Sequence, residues 1–185
     1  MTPILGIMAS QISGHLAVPN NFESIATTTL STTTAYIEFA SIPATFRNLQ
    51  IRGIAQGANG GGGLVTFNSD TGANYSYHSL YGDGGAIGAQ GSASTSNILI
   101  CRNGGISTTA NTFSGFVIDI LDYANTNKYK TTRALNGQDL NGSGKFNLES
   151  GNWRDTAAIN TIRLTHNGSG FTQYTSFALY GIVGA

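Results

Sequence analysis

LQIRGIA, residues 49–55, alternates apolar and polar side chains with a period of two. Because successive side chains of an extended strand leave opposite faces, Leu49 and Ile51 share one face of a sheet and Arg52 lies on the other. The same period recurs in TAYIEFA (34–40), AINTIRLT (158–165) and YTSFALYGIV (174–183), where we expect these side chains to point inward: Ile37, Phe39, Ile162, Leu164, Phe177 and Leu179. GFVIDILD (115–122) is more continuously apolar and predicts a central strand.

The sequence therefore predicts an all-β chain of about eight to ten strands, folded as a single-domain antiparallel β-sandwich that is jelly-roll-like. No stretch of a dozen residues has sustained helical periodicity. Little helix is expected, at most a single turn near Ile42 to Phe46 and part of the N-terminal segment.

Turn signals support the strand prediction. Asn-Gly is favoured in type I′ hairpin turns, where both central residues need positive φ. Five such pairs begin at Asn59, Asn103, Asn136, Asn141 and Asn167. The last pair predicts a hairpin between two C-terminal strands. The Thr-rich TTTLSTTTA (27–35) predicts a strand pair joined near Ser31.

Charge and composition restrict the possible partners. Only 10% of the 185 residues are charged, and nine basic residues balance nine acidic ones. Nucleic acids and anionic membranes are usually bound through a basic excess, so neither is expected as a partner. Hydrophobic residues reach 40%, which argues against disorder. The single cysteine, Cys101, is expected to be a small buried side chain.

The first 21 residues lack the alternation and predict an N-terminal arm ahead of a sandwich domain at 22–185. The opening MTPILGIMASQISGHL has no Lys or Arg before its apolar stretch, so it predicts neither a signal peptide nor a membrane span. Synthesis in the cytoplasm is the simpler expectation. The apolar side chains of this arm are candidates for docking on a neighbouring protein: Ile4, Leu5, Ile7, Met8, Ile12 and Leu16.

Catalytic motifs are missing from the sequence. The glycine-dense stretches 57–63 and 82–91 do not match the G-x-G-x-x-G phosphate loop and predict surface loops, and no G-x-S-x-G nucleophile elbow occurs. We therefore expect no enzymatic activity, no metal and no cofactor. One alternative stays open, a glycosidase whose two carboxylates, such as Asp83 and Glu149, meet only in space.

Other polar groups have structural explanations. The three histidines, His15, His78 and His166, lack metal-ligand spacing and are expected at the surface or in hydrogen bonds. Asp119 and Asp122 are expected to be solvated carboxylates near a strand end. NSDTGANY (68–75) lacks the spacing of an EF-hand and predicts an Asx-type turn. KYKTTR (128–133) predicts a polar strand edge.

Three tyrosines, Tyr75, Tyr77 and Tyr81, lie close together in NYSYHSLYGDGG (74–85). Tyrosine offers a large contact area at a low entropy cost, so these rings are a candidate patch for contact with a sugar or a protein. Ordinary packing in a strand and loop explains them equally well.

Several segments resemble a group of tailed-bacteriophage virion proteins: ASQISGHL, FESIATTTL, SIPATFRNLQIRGIA, SDTGANYSYHSLYG, VIDILDYANTNKYKTTR and FTQYTSFALYGIVGA. The resemblance covers nearly the whole chain, and the terminal ALYGI is its most specific mark. Members of this group are β-sandwich modules that occur as trimeric cement, or decoration, proteins on capsids and as distal domains of tailspikes. The resemblance implies no catalytic residues.

From this resemblance we expect a homotrimeric capsid cement protein on the outer surface of the virion, bound to the major capsid protein of the same phage and synthesised in the bacterial cytoplasm. A chain of 185 residues has no room for the shaft of a complete tailspike, which favours the cement role. The alternative is a tailspike or tail-fibre tip that binds host surface glycan or a receptor.

Overall fold

In the computed structural model, residues 21–183 can be described, and they form twelve β-strands and no helix. The strands are β1 (Phe22–Thr29), β2 (Tyr36–Phe39), β3 (Asn48–Ala55), β4 (Gly63–Phe67), β5 (Tyr75–Gly82), β6 (Ile87–Thr95), β7 (Ile98–Cys101), β8 (Ser114–Leu121), β9 (Lys130–Asp139), β10 (Gly144–Trp153), β11 (Ile162–His166) and β12 (Ser176–Ile182). The count exceeds the predicted eight to ten because strands such as β6 and β7 show no alternation of apolar and polar side chains.

The strands form two antiparallel sheets, and the predicted β-sandwich is confirmed. One sheet has eight strands in the order β1-β12-β3-β8-β9-β10-β5-β6, and the other has four in the order β2-β11-β4-β7. The layers are therefore unequal, and the smaller sheet covers only part of one face of the larger.

The core lies between the two sheets and is built by the predicted alternation. From the large sheet, Ile51, Ile118 and Leu179 are fully buried. They face Val65 and Leu164 of the small sheet, which are fully buried as well. Two groups of aromatic rings complete the core: Phe67 with Tyr75 and Trp153, and Phe116 with Phe171 and Phe177. The inward positions predicted for Ile37, Phe39, Ile162, Leu164, Phe177 and Leu179 are confirmed.

Two predicted strand pairs are wrong. β1 and β2, expected to pair across Ser31, lie in different sheets, and so do β11 and β12, expected to form a hairpin at Asn167. Turn residues fix local backbone angles but do not decide whether the chain folds back within a sheet or crosses to the opposite one. Both connections cross between the layers.

Only some of the Asn-Gly pairs form hairpin turns. Asn141 and Gly142 connect β9 to β10, and both have positive φ, 59° and 105°. Asn136, by contrast, lies within β9, where its side chain donates a hydrogen bond to the carbonyl of Ile100. Of the expected glycine loop at 82–91, the part from Ile87 onward is strand β6. Residues 42–46 form a turn rather than a helical turn.

The predicted polar edge at 128–133 is wrong. Lys130 is fully buried in β9, which lies between β8 and β10 in the middle of the large sheet. Its ammonium group donates hydrogen bonds to the carbonyls of Asn125, Lys128 and Thr156. Burial lowers the pKa of Lys130 from its usual value. These three hydrogen bonds therefore hold the segments before β9 and after β10 together at one end of the core.

Candidate functional site

The predicted docking arm cannot be placed. Ile4, Leu5, Ile7, Met8, Ile12 and Leu16 lie outside the described residues, and the first described strand begins at Phe22.

The three tyrosines of the predicted contact patch do not form an exposed surface. Tyr75 is fully buried, stacks on Trp153 and donates its hydroxyl to the carbonyls of Phe67 and Asp70. Burial raises the pKa of Tyr75 to about 12. Tyr77 and Tyr81 are half-buried on the same inner face of β5. Residues of one parity in a strand share a face, and here that face is the core.

Exposed apolar side chains instead lie on the outer face of the large sheet. Strand register places them in two adjacent rows that cross the sheet. We call them the outer apolar rows. The first row contains Ile54, Gly115, Gly137, Phe146, Gly82 and Ile87, and the second contains Val117, Leu135, Leu148, Leu80 and Ala89. Their Ile, Leu, Val and Phe side chains are between 37% and 83% exposed.

A groove of about 820 Å³ opens within the outer apolar rows. Its floor includes Gly115 and Gly137, and Ile54 and Phe146 stand on either side. A Cβ atom added at Gly115 would meet no atom of residues 21–183 within 4 Å. Gly53, by contrast, is needed by the fold, because a Cβ there would lie 2.3 Å from the ring of Phe177. The glycine at 115 therefore leaves open space above the sheet.

A polar row borders the outer apolar rows. Asp119 accepts a hydrogen bond from Gln50 at 2.7 Å and lies 3.8 Å from the guanidinium of Arg133. Further along this row come Ser150 and His78, which are both exposed. An apolar centre with a polar margin is the usual anatomy of a protein contact surface. The outer face of the large sheet thus has the composition of an interface.

A second candidate site is a small polar pocket of about 250 Å³ at one end of the sandwich. Tyr81, Arg102 and Lys145 line it, together with Asp83 and Asn147. The Arg102 guanidinium lies 3.7 Å from the centre of the Tyr81 ring, in a cation–π contact. Hydrogen bonds from the backbone amides of the turn lower the pKa of Asp83. The pocket therefore offers two cations and one carboxylate to a small polar ligand.

Behind this pocket, polar side chains are buried between the sheets. Asn147 donates to Asn136, and the Oδ1 atom of Asn147 has no hydrogen-bond partner among residues 21–183. Glu149 is 2% exposed, and neither of its carboxylate oxygens has such a partner. Burial raises the pKa of Glu149 to about 7, although Ser79 and Arg102 lie near enough to oppose the rise. Cys101 is buried as predicted, and burial beside Glu149 raises its pKa to about 12.

Asp83 and Glu149, the example of a glycosidase carboxylate pair, have different surroundings. Glu149 lies directly opposite Ser79 on β5, and Asp83 follows four residues further along that line. Four residues of a strand span about 13 Å, whereas glycosidase carboxylates lie roughly 5–9.5 Å apart. Glu149 is buried on β10, whereas Asp83 is exposed and accepts hydrogen bonds from the amides of Gly85 and Ala86 in its own turn.

The remaining predicted polar groups have structural roles. Asp122 is ion-paired with Arg47 and Lys128 just beyond β8. Asp70 accepts a hydrogen bond from the amide of Gly72, which confirms the Asx-type turn. Although burial opposes ionisation of Asp70, hydrogen bonds from Trp153, Asn74 and Gly72 lower its pKa.

The two histidines within the described residues have different surroundings. His78 is exposed, whereas His166 is buried against Phe171 and accepts a hydrogen bond at Nδ1 from the amide of Gly170. His15 lies outside the described residues. In the range 21–183, no three His, Cys, Asp or Glu side chains gather into a potential metal site, and no helix could cross a bilayer.

Sequence reasoning missed the outer apolar rows. The signal was present in β8, where Val117 and Leu121 alternate with the inward-pointing residues and are apolar too. A continuously apolar run predicts a strand in the centre of a sheet. It does not reveal that one of the two apolar faces of β8 points away from the small sheet.

Comparison with known proteins identifies no family. No protein-family model matches this chain, and no curated protein matches it. A solved structure that matches is the marine PL-14 alginate lyase from Aplysia kurodai, at 6% sequence identity and a TM-score of 0.27, over 94% of this chain and 92% of the lyase. A likeness at that TM-score carries no argument about fold or function.

Proposed function

We propose that this protein is a bacteriophage capsid cement protein, which binds the outer surface of the major capsid protein shell as a homotrimer and stabilises it. The observation that carries the proposal is the pair of outer apolar rows, half-exposed on a sheet face of an otherwise polar, neutral chain. The largest exposed apolar patch of a soluble protein is often a functional contact site. The resemblance of the sequence to phage virion modules agrees with that role.

The physical demands on a cement protein fit this chain. Such a protein must stay soluble before assembly, which the hydration of its many Ser, Thr and Asn side chains favours, and a net charge of zero leaves little repulsion to oppose assembly. It must also hold several capsid subunits together. A trimer multiplies each weak contact, because binding at one site raises the effective concentration at the next.

A binding experiment with capsids of the phage that encodes this chain tests the proposal. Purified protein is mixed with shells stripped of it, and the shells are pelleted. We expect saturable co-sedimentation and a higher melting temperature of the decorated shells. Deletion of residues 2–16 tests the predicted docking arm, with occupancy as the readout. Failure of the full chain to bind such shells would contradict the cement role.

A tail-tip module that binds host surface glycan is the second candidate, and the polar pocket favours it. Arg102 and Lys145 offer charged donors of the kind that bind sugar hydroxyl and carboxylate groups. A glycan array probed with the full chain tests this role. We expect any bound glycan to lose at least tenfold in affinity in Arg102→Ala, since that change removes the charged donor. An array without signal counts against the tail-tip role.

A further inference from the structure

The small polar pocket at the end of the sandwich has charges that the fold itself does not use. Arg102 and Lys145 line it, and within residues 21–183 neither side chain forms an ion pair or donates a hydrogen bond. We propose that the pocket binds one acidic sugar residue, whose carboxylate contacts both cations and whose hydroxyl groups donate to oxygen atoms of the pocket. The inference rests on the glycan-binding role, the second candidate above, and it names the class of sugar.

The two cations of the pocket differ from every other cation of the chain. All nine arginine and lysine residues lie in the described range. Seven of them form ion pairs or hydrogen bonds: Arg47, Arg52, Lys128, Lys130, Arg133, Arg154 and Arg163. Arg102 and Lys145 are half-buried and have lost part of their hydration, which normally calls for a compensating partner. The two cations without one line the same pocket.

The fold holds both cations in position. The Arg102 Cζ atom lies 3.7 Å from the centre of the Tyr81 ring. Stacking of this kind leaves the N–H groups, which lie in the guanidinium plane, available to a ligand. On the other side, Gly104 has a φ of 76°, and a Cβ atom there would lie 2.9 Å from the Nζ atom of Lys145. The glycine therefore lets the turn approach the ammonium group closely.

The pocket also supplies hydrogen-bond acceptors. Asn147 is fully buried and lines the pocket, and its amide group donates to Asn136 at 2.6 Å. The Oδ1 atom of Asn147 has no partner in the described part of the chain. A buried acceptor without a donor costs stability, so a donor from a ligand is favoured there. At the mouth, Asp83 accepts two amides of its own turn at Oδ1, and its Oδ2 atom accepts no hydrogen bond from residues 21–183.

These groups together select the ligand. Two cations favour an anionic group, and a planar carboxylate matches the fork of a guanidinium. The acceptors favour hydroxyl donors, because an ammonium donor would be repelled by Arg102 and Lys145. A uronic acid carries a carboxylate and several hydroxyl groups on one ring. Pockets for drug-sized ligands begin at roughly 300 Å³, so a pocket of about 250 Å³ fits a single sugar residue.

The buried carboxyl behind the pocket does not cancel its positive charge at mildly acidic pH. Glu149 lies two residues beyond Asn147 on the same face of β10. Burial raises the pKa of Glu149 to about 7, so its carboxyl is mostly neutral at pH 6. Asp83 is then the one charged carboxylate that lines the pocket, against two cations.

Isothermal titration calorimetry of the full chain at pH 6 tests the ligand class. The probes are sodium D-glucuronate, D-glucose, sodium acetate and inorganic phosphate at equal ionic strength. We expect glucuronate to bind with a dissociation constant at least tenfold below those of glucose and acetate, because each of these carries only one of the two required features. Phosphate should bind more weakly than glucuronate, since Asp83 repels a compact anion that offers few donors.

Substitution of the two cations tests the site. Arg102→Gln and Lys145→Gln should each raise the dissociation constant of glucuronate at least tenfold. Arg163→Gln is the matched control, because that arginine pairs with Glu38 on the small sheet, and it should leave binding unchanged. Without ligand, Lys145→Gln should keep the melting temperature of wild type, since its ammonium group has no partner within the described residues. This last result separates a binding role from a structural one.

Several outcomes would overturn the inference. They are the absence of saturable glucuronate binding, binding that survives both Arg102→Gln and Lys145→Gln, and phosphate binding at least as tight as that of glucuronate, which marks a plain anion site.

The glycan array separates this inference from the role on which it rests. An array signal from neutral glycans alone, unaffected by Arg102→Gln and Lys145→Gln, leaves the tail-tip role standing and overturns the acidic-sugar pocket. Glucuronate binding in calorimetry together with an array without signal leaves the pocket standing and contradicts the tail-tip role.

Discussion

The two faces of the eight-stranded sheet are made from the same strands but follow different rules. On β8, Ile118 and Ile120 point inward and are fully buried, and their neighbour Val117 points outward and is more than a third exposed. The outer face of such a sheet is normally polar, because water covers it. Here its centre is apolar and contains a glycine-floored groove. Burial in the core therefore explains the apolar side chains of the inner face. The apolar side chains of the outer face have no such explanation, and they fit a contact with another protein.

The inner face also has an exception of its own. Glu149 is buried at a position where the alternation places a core residue, and it lies close to Asn147 and Ser79. A buried carboxyl without hydrogen-bond partners is expensive when it is charged. The comparison of the two faces thus leads to three predictions. They concern the two faces of β8, the buried Glu149 and the groove over Gly115.

The largest effect is expected from paired truncations on opposite faces of β8. Ile118→Ala removes fully buried carbons and should lower the free energy of unfolding by about 2–5 kcal/mol. Val117→Ala removes partly exposed carbons and should cost less than about 1 kcal/mol in the free monomer. Urea unfolding of dilute protein measures both. Equal losses would contradict the assignment of the two faces.

An intermediate effect is expected at Glu149 and depends on pH. Because the folded state raises its pKa from 4.5 to about 7, the folded protein binds the proton more tightly than the unfolded chain does. The stability of wild type should therefore fall as the pH rises from about 4.5 to 7, by up to about 3 kcal/mol.

Glu149→Gln should remove this loss and be more stable than wild type at pH 8, with little difference at pH 4. Glu23→Gln, on the exposed end of β1, is the control and should follow wild type. The measurement is urea unfolding as a function of pH. A stability difference between Glu149→Gln and wild type that does not change with pH would falsify the account of the buried carboxyl.

The smallest effect on folding is expected at the groove. Gly115→Val adds a side chain in open space and a residue that favours strands, so the monomer should keep its stability or gain up to about 1 kcal/mol. Thermal unfolding of dilute protein measures this. A marked loss of stability would mean that the glycine is needed for folding, and the groove would lose its significance as a contact site.

How much the sequence reveals follows from the same comparison. The inward positions of Leu49, Ile51 and Leu164 could be predicted, because alternation reports which side chains share a face. Alternation does not report which strands are neighbours, so it does not reveal that the connections at Ser31 and Asn167 cross between sheets.

The candidate site was harder to predict than the fold. Tyr75 belongs to a rich run of tyrosines, but only the three-dimensional position of Trp153 reveals that its ring is a core residue. Lys130 looks like an edge residue until three carbonyls are found around its ammonium group. The outer apolar rows arise from residues of six strands, and their proximity depends on register that a single sequence does not contain.

Under the proposed cement role, a reconstruction of the assembled phage particle tests the central claim most directly, namely that the outer face of the large sheet is a contact surface. We predict that Ile54, Leu135, Phe146 and Ile87 are covered by neighbouring protein. Particles in which these side chains face solvent, while the protein is held by other surfaces, would contradict the claim.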